Sequence, residues 1–208
     1  MKTLIQARTL LLLALVVPFL AGCFGVAAVG VGTGALMFAD RRQAETIVTD
    51  EGIEIRAANR ISEKYGSRAH VNVTSYNRTV LLTGAVADAA AKAETERLVA
   101  AVANVKAISN ELQIGTVSTL TNRSNDTFIT SKVKARFIDA SQFGANHIKV
   151  VTEAGVVYLM GLATQYEVNA AVEIARTTGG VLKVVRVFEI ISDTEARRLD
   201  PPSAHTSK

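Results

Sequence analysis

The residues whose spacing carries chemical meaning fall between Asn125 and Phe137, in the stretch NDTFITSKVKARF. The pattern predicts a helix. Asn125 or Asp126 would cap it, since a short side-chain oxygen accepts a free backbone N–H at a helix start. Ile129, Val133 and Phe137 recur every four residues and form one apolar face. Phe128 lies about 140° from the centre of that face, at about 100° per residue. Ser131, Lys132 and Ala135 flank it, and Lys134 and Arg136 stand at the borders. An aromatic ring directed at solvent among three cations offers no acid–base or nucleophilic chemistry. It is suited to insertion into an anionic bilayer surface. Burying a Phe ring gives at most roughly 1.5–3 kcal/mol, and each Lys or Arg near such a surface adds about 1 kcal/mol. The total is on the order of 5 kcal/mol, a sub-millimolar affinity when it acts alone.

No catalytic constellation accompanies this stretch, and no enzymatic activity is expected. The histidines are His70, His147 and His205. His70 and His147 precede equivalent strands without neighbouring Cys or spaced carboxylates, so they read as solvated loop residues rather than a metal pair. No G-x-S-x-G nucleophile elbow occurs. The GVGTG at Gly30–Gly34 lacks the preceding strand and the Lys of a phosphate loop. Gly84 and Gly161, each ending an apolar strand, read as structural glycines at a strand-to-helix turn. A net charge of +4 and a pI near 9.3 are too weak to imply nucleic acid. No metal and no cofactor are expected.

The elements that position this helix begin with the amino terminus. Lys2 and Arg8 precede an apolar run, Leu10–Leu20, and Leu20-Ala21-Gly22-Cys23 follows. This order resembles the lipobox of bacterial lipoproteins. The resemblance implies a signal peptide over 1–22 and a mature Cys23 carrying a covalent diacylglycerol and an N-acyl chain. Multiple chains make anchoring stable, and anchoring turns a weak docking contact into an intramolecular one. Phe24 in place of an Asp after the Cys favours the outer membrane. Taking Lys2 and Arg8 from the net charge of +4 leaves +2. Residues 23–49 read as a Gly/Ala-rich tether and polar linker, and Ser192–Lys208 as a disordered tail.

The rest of the chain repeats. Ile53, Ala57, Arg60 and Ile61 align with Ile129, Val133, Arg136 and Phe137 at an offset of 76. Val80-Leu81-Leu82-Thr83-Gly84 aligns with Val157-Tyr158-Leu159-Met160-Gly161 at 77, and Val105, Ile108, Leu112 and Ile114 with Val181, Val184, Phe188 and Ile190 at 76. Each copy reads helix, strand, strand, helix, strand, over 50–115 and 124–191. The fold class is α+β, two tandem αββαβ sandwiches with two helices on a three-stranded sheet. Copies of this size are marginal alone, so they are expected to pack together or against a partner.

The repeat is also an internal control. Where the second copy has Phe128 and Lys134, the first has Gly52 and Ala58. The span Asn125–Phe137 carries Lys132, Lys134 and Arg136 against Asp126; the span Thr49–Ile61 carries Arg56 and Arg60 against Asp50, Glu51 and Glu54. The shared scaffold does not account for that difference. The other reading open to Phe128 is packing on the first copy or stapling the core edge.

Two αββαβ units with LLTG and YLMG strand ends behind a lipobox resemble dual BON-domain lipoproteins of the Gram-negative outer membrane. The resemblance spans about residues 20–191. It implies a periplasm-facing protein that maintains outer-membrane integrity, gathers at division sites and touches outer-membrane assembly proteins. It also implies that an aromatic at position 128, usually Trp, inserts among anionic headgroups such as phosphatidylglycerol and cardiolipin. Phe keeps the wedge and loses the indole N–H. The alternative role is a periplasmic scaffold that contacts envelope proteins without lipid.

Overall fold

The computed structural model describes residues 40–115, 120–140 and 142–200. The expected signal peptide, Cys23, most of the tether and the last eight residues lie outside these.

In the first copy, α1 (Ala44–Tyr65) precedes β1 (His70–Tyr76), β2 (Thr79–Val86), α2 (Ala89–Ala100), β3 (Ala107–Asn110) and β4 (Gln113–Ile114). β1 pairs antiparallel with β2, and β3 and β4 pair parallel with β2 after the α2 crossover. The second copy holds α3 (Leu120–Asp139), β5 (Ile148–Glu153), β6 (Val156–Ala163), α4 (Gln165–Arg176) and β7 (Lys183–Ile190), with the same pairing order β5-β6-β7. A last helix, α5, spans Asp193–Leu199. The αββαβ order is therefore present twice.

Strand alternation explains the layering. In β2, Val80, Leu82 and Val86 point toward α1 and α2, where they meet Ile53, Ala57, Ile61 and Val99. In β6, Val157 and Leu159 meet Ile129, Val133, Phe137, Ala171 and Ala175. The intervening residues face the other way. Tyr76 and Leu81 of the first sheet join Tyr158, Met160 and Leu162 of the second in a third buried cluster. The two sheets thus pack on each other through the faces that their helices leave open. Central strands buried on both sides read as near-continuous apolar runs, which is why LLTG and YLMG stand out.

Several boundaries move from where the sequence puts them. Helix α1 begins at Ala44, six residues before the expected start of the first copy at residue 50, so the polar stretch Asp40–Thr49 is not a linker. The reason is electrostatic. Arg42 pairs with Asp40 and with buried Asp50, at 2.7 and 2.8 Å, and lies 4.1 Å over the Tyr76 ring. The third strand of the first copy breaks at Glu111 and Leu112, where Leu112 turns into the core. The segment after Ile191, expected to be disordered, is helical over Asp193–Leu199. Ser192 caps it, and Leu199 packs on the cluster between the sheets.

The aspartates at equivalent positions also act differently from a helix cap. Helix α3 starts six residues before Asp126, which is buried inside it. Its carboxylate accepts from Ala154 N and Gly155 N, both at 2.8 Å. Asp50 accepts from Asn77 N and Arg78 N at 2.8 and 2.7 Å. Each hairpin turn has two residues at positive φ: 49° and 64° at Asn77 and Arg78, 50° and 74° at Ala154 and Gly155. A helix carboxylate satisfies the amides of a turn that its non-glycine residues adopt reluctantly.

Candidate functional site

Helix α3 presents two faces. Ile129, Val133 and Phe137 are buried, whereas Phe128 is 61% exposed and Ile138 73% exposed. Ser131 and Ala135, also exposed, lie between them along the helix. Ile138 lies ten positions after Phe128, about 15 Å along the helix at about 1.5 Å per residue. Phe128 is not stapled to the core. Its ring instead carries the Lys132 ammonium, 4.6 Å from the centroid, a distance at which a cation is attracted to a ring face. Lys132 also donates to Gly179 O. The cation and the ring are therefore preassembled.

The remaining cations separate into two kinds. Arg136 donates to Ile174 O at 2.7 Å and to the Thr177 and Thr178 hydroxyls at 3.0 and 2.8 Å. It satisfies the carbonyl end of α4, where a cation is favoured. Its counterpart Arg60 donates to Leu98 O at 3.3 Å, the equivalent carbonyl of α2. Arg136 thus belongs to the scaffold of both copies, a role its place in the sequence did not disclose. Lys134 has no ion-pair partner among the described residues and is exposed. With Ser131 and Thr127 it lines an open cleft of about 510 Å³ that reaches His70 and Asn72 of the first copy.

Ile138 escaped sequence reading because it sits one residue after the apolar Phe137 and looks like part of the same face. Its angular position, 100° away, was the available signal. In the first copy the equivalent residue is Ser62. That copy exposes Val48 and Ile55 instead, beside Glu45 and Glu51.

Gly84 and Gly161 lie within β2 and β6 rather than at a strand-to-helix turn. A Cβ there would come 2.1 Å from His70 O or 2.5 Å from His147 O, so each lets the neighbouring strand approach. His147 is not a solvated loop residue. It is buried with Nδ1 3.8 Å from Glu167 and Nε2 3.6 Å from Asp200. Between these carboxylates lies buried Arg41, 2.7 Å from Glu167 and from Asp200, and 2.9 Å from Leu162 O. Burial and the Arg41 charge hold the His147 pKa below its ordinary value, outweighing the two carboxylates. Burial raises Glu167, but the Arg41 and Thr164 hydrogen bonds outweigh it, and the net shift is downward. The cluster ties the start of the first copy to α4 and α5. Among the described residues no group of three or more His, Cys, Asp or Glu is placed to hold a metal, and no helix is long and apolar enough to cross a membrane.

The BON domain model matches residues 49–116 and 125–192, one match for each αββαβ unit. This chain belongs to the BON-domain family. The outer membrane lipoprotein DolP of Haemophilus influenzae is 32% identical over 91% of this chain and 99% of its own length. The 21 kDa hemolysin of Actinobacillus pleuropneumoniae is 34% identical over 73% of this chain and 79% of its own. Among solved structures, CdsD of the Chlamydia trachomatis type III secretion system aligns at a TM-score of 0.29 and 13% identity, over 74% of this chain and 96% of that one. That likeness is too distant to bear on function. The two BON domains of this chain differ on the outward faces of α1 and α3, where Gly52 and Ala58 of the first stand opposite Phe128 and Lys134 of the second.

Proposed function

We propose that this BON-domain protein is an outer-membrane lipoprotein, anchored through acyl chains on Cys23, whose second domain docks on anionic phospholipid through α3. The observation that carries the reading is an exposed Phe128 ring with the Lys132 ammonium resting on it, in the second copy only. Phe128 and Ile138 supply apolar insertion, with Ser131 and Ala135 between them. Lys132 and Lys134 supply attraction to phosphatidylglycerol or cardiolipin, and Arg136 holds the helix in place. No cofactor beyond the covalent lipid and no catalytic step is needed. The protein faces the periplasm, supports outer-membrane integrity and concentrates where anionic lipid gathers at division sites. The likeness to DolP supports the outer-membrane part of this reading.

A contact with envelope assembly proteins is the second role, and one observation favours placing it on the first domain. The exposed Val48 and Ile55 stand beside Glu45 and Glu51, charges that an anionic bilayer repels. A photo-crosslinker at Ile55 should capture an envelope protein, and none should be captured from position 128.

Titration with phosphatidylglycerol or cardiolipin micelles should move the backbone resonances of 128–138. Phe128→Glu should abolish those shifts without unfolding the chain; undiminished shifts in that variant contradict the lipid reading.

A further inference from the structure

Leu182 is 80% exposed just before β7, one residue ahead of exposed Lys183. It follows the Gly179-Gly180 turn, which lies directly against α3. Lys132 Nζ donates to Gly179 O. At Gly180, whose φ is +101°, a Cβ would come 3.1 Å from Ile129 Cγ1 and 3.6 Å from Lys132 Nζ. Leu182 N donates to Gly155 O at 2.9 Å. Its side chain covers Gly155, where a Cβ would come 2.8 Å from Leu182 Cδ1. A shallow groove of about 300 Å³ joins Leu182 and Gly155 to Asn125 of α3.

These contacts place Leu182 on one flank of α3, the flank of Asn125 and Lys132. It is the flank that borders Phe128, because residues three before and four after it lie at about 60° and 40° around the helix. Lys132 joins the parts, touching the Phe128 ring on one side and the turn carbonyl on the other. Phe128, Lys132 and the Gly179–Leu182 turn therefore form one surface.

The repeat again acts as a control. At the position of Leu182 the first copy has Lys106, which pairs with Glu189 at 3.0 Å. Exposed Ile190 is different: its counterpart Ile114 is exposed too, so the scaffold accounts for both. No shared feature of the fold calls for an apolar side chain in water at 182.

We infer that Leu182 is a second apolar anchor of the docking surface, entering an anionic phospholipid bilayer together with Phe128. This rests on the α3 reading above and extends the surface from one helix to the turn between α4 and β7. Lys132 serves both anchors, lying over the Phe128 ring and donating to the Gly179 carbonyl of the turn that carries Leu182. That pairing of apolar wedge and basic rim suits the headgroup region of a bilayer rather than an acidic protein groove.

The chain contains no Trp, so single Trp variants report each position without background. Leu182→Trp, Phe128→Trp and Lys106→Trp are prepared in the full chain and reconstituted into vesicles of phosphatidylglycerol and phosphatidylcholine. Emission from Leu182→Trp and Phe128→Trp should shift to the blue and be quenched by bromine-labelled acyl chains. Lys106→Trp should stay solvent-like, and all three should melt as the parent does. Quenching at 128 but not at 182 overturns the Leu182 inference and leaves the α3 reading standing. Quenching at neither position overturns both. Equal quenching at 106 also overturns the inference, since the turn of either copy would then behave alike.

Discussion

The two BON domains share a scaffold and present different side chains on one equivalent outward surface. Position for position, both keep the buried aspartate that holds the hairpin turn, the arginine that caps the second helix and the apolar triplet of the first helix. Where the second has Phe128, Lys134, Ile138 and Leu182, the first has Gly52, Ala58, Ser62 and Lys106. In the first copy the Arg56 guanidinium covers Gly52, much as Lys132 covers Phe128. A cation over position 52 or 128 is thus common to both, and the ring beneath it is not. Features common to both domains explain folding, whereas exposed apolar and basic side chains of one alone are where a ligand is to be sought.

The largest test concerns a contact with no counterpart in the first copy, where Ala91 stands in place of Glu167. Arg41→Ala leaves the Glu167 and Asp200 carboxylates without their buried cation. Breaking a buried pair costs about 3–5 kcal/mol, so a sharp fall in denaturant midpoint is expected. A midpoint unchanged from the parent would mean that this Arg41 latch, from the start of the first copy to Glu167 and Asp200, does not hold the two domains.

Shared features should respond in parallel. Asp50→Ala and Asp126→Ala each strand two turn amides, and each unmet buried group costs about 1–3 kcal/mol. Asp50 also accepts from Ser75 and pairs with Arg42 at 2.7 and 2.8 Å, so its loss should be the greater. Urea unfolding of the two variants checks the order.

Acid should act on the second copy through the latch. The folded protein binds a proton at His147 less readily than the unfolded chain, whose ordinary value is 6.5. The unfolded state then takes up more protons as pH falls through that value, and stability declines. Glu167, held below 4.5 when folded, contributes stability that is lost at still lower pH as it protonates. The melting temperature should therefore drop between pH 7 and pH 5, and His147→Gln should flatten that segment.

The smallest effects distinguish the cations. Lys134→Ala should weaken vesicle binding about fivefold, the equivalent of about 1 kcal/mol per cation, with no change in stability. Arg136→Ala should cost about 1 kcal/mol of stability through its lost hydrogen bonds and leave less trace on binding than Lys134→Ala. A larger binding loss for Arg136→Ala would return it to the docking surface.

Much of this comparison was legible in the sequence, because internal repetition and period-2 strands are local patterns. The triplet Ile129, Val133 and Phe137 is buried as its spacing implies, and Phe128 points outward. What stayed hidden depends on contacts far apart in the chain. Arg41 meets Asp200 across 159 residues, so Asp40–Thr49 looked like a linker and the segment after Ile191 like a tail. Asp126 looked like a cap because its partners, the amides of Ala154 and Gly155, lie in a later turn. Arg136 counted as a surface cation until the α4 carbonyls came into view. Leu182 carried no periodic signal, and only its place beside Lys132 gives it meaning.

The central claim is that position 128 of the second domain, and not its counterpart surface in the first, meets lipid. Co-sedimentation with phosphatidylglycerol vesicles of the parent, Phe128→Glu and Ile55→Glu compares the two helices directly. The account predicts that Phe128→Glu loses at least tenfold in binding, as removal of roughly 1.5–3 kcal/mol of apolar burial requires, while Ile55→Glu binds as the parent does. Equal losses from the two variants, or none from Phe128→Glu, would contradict it.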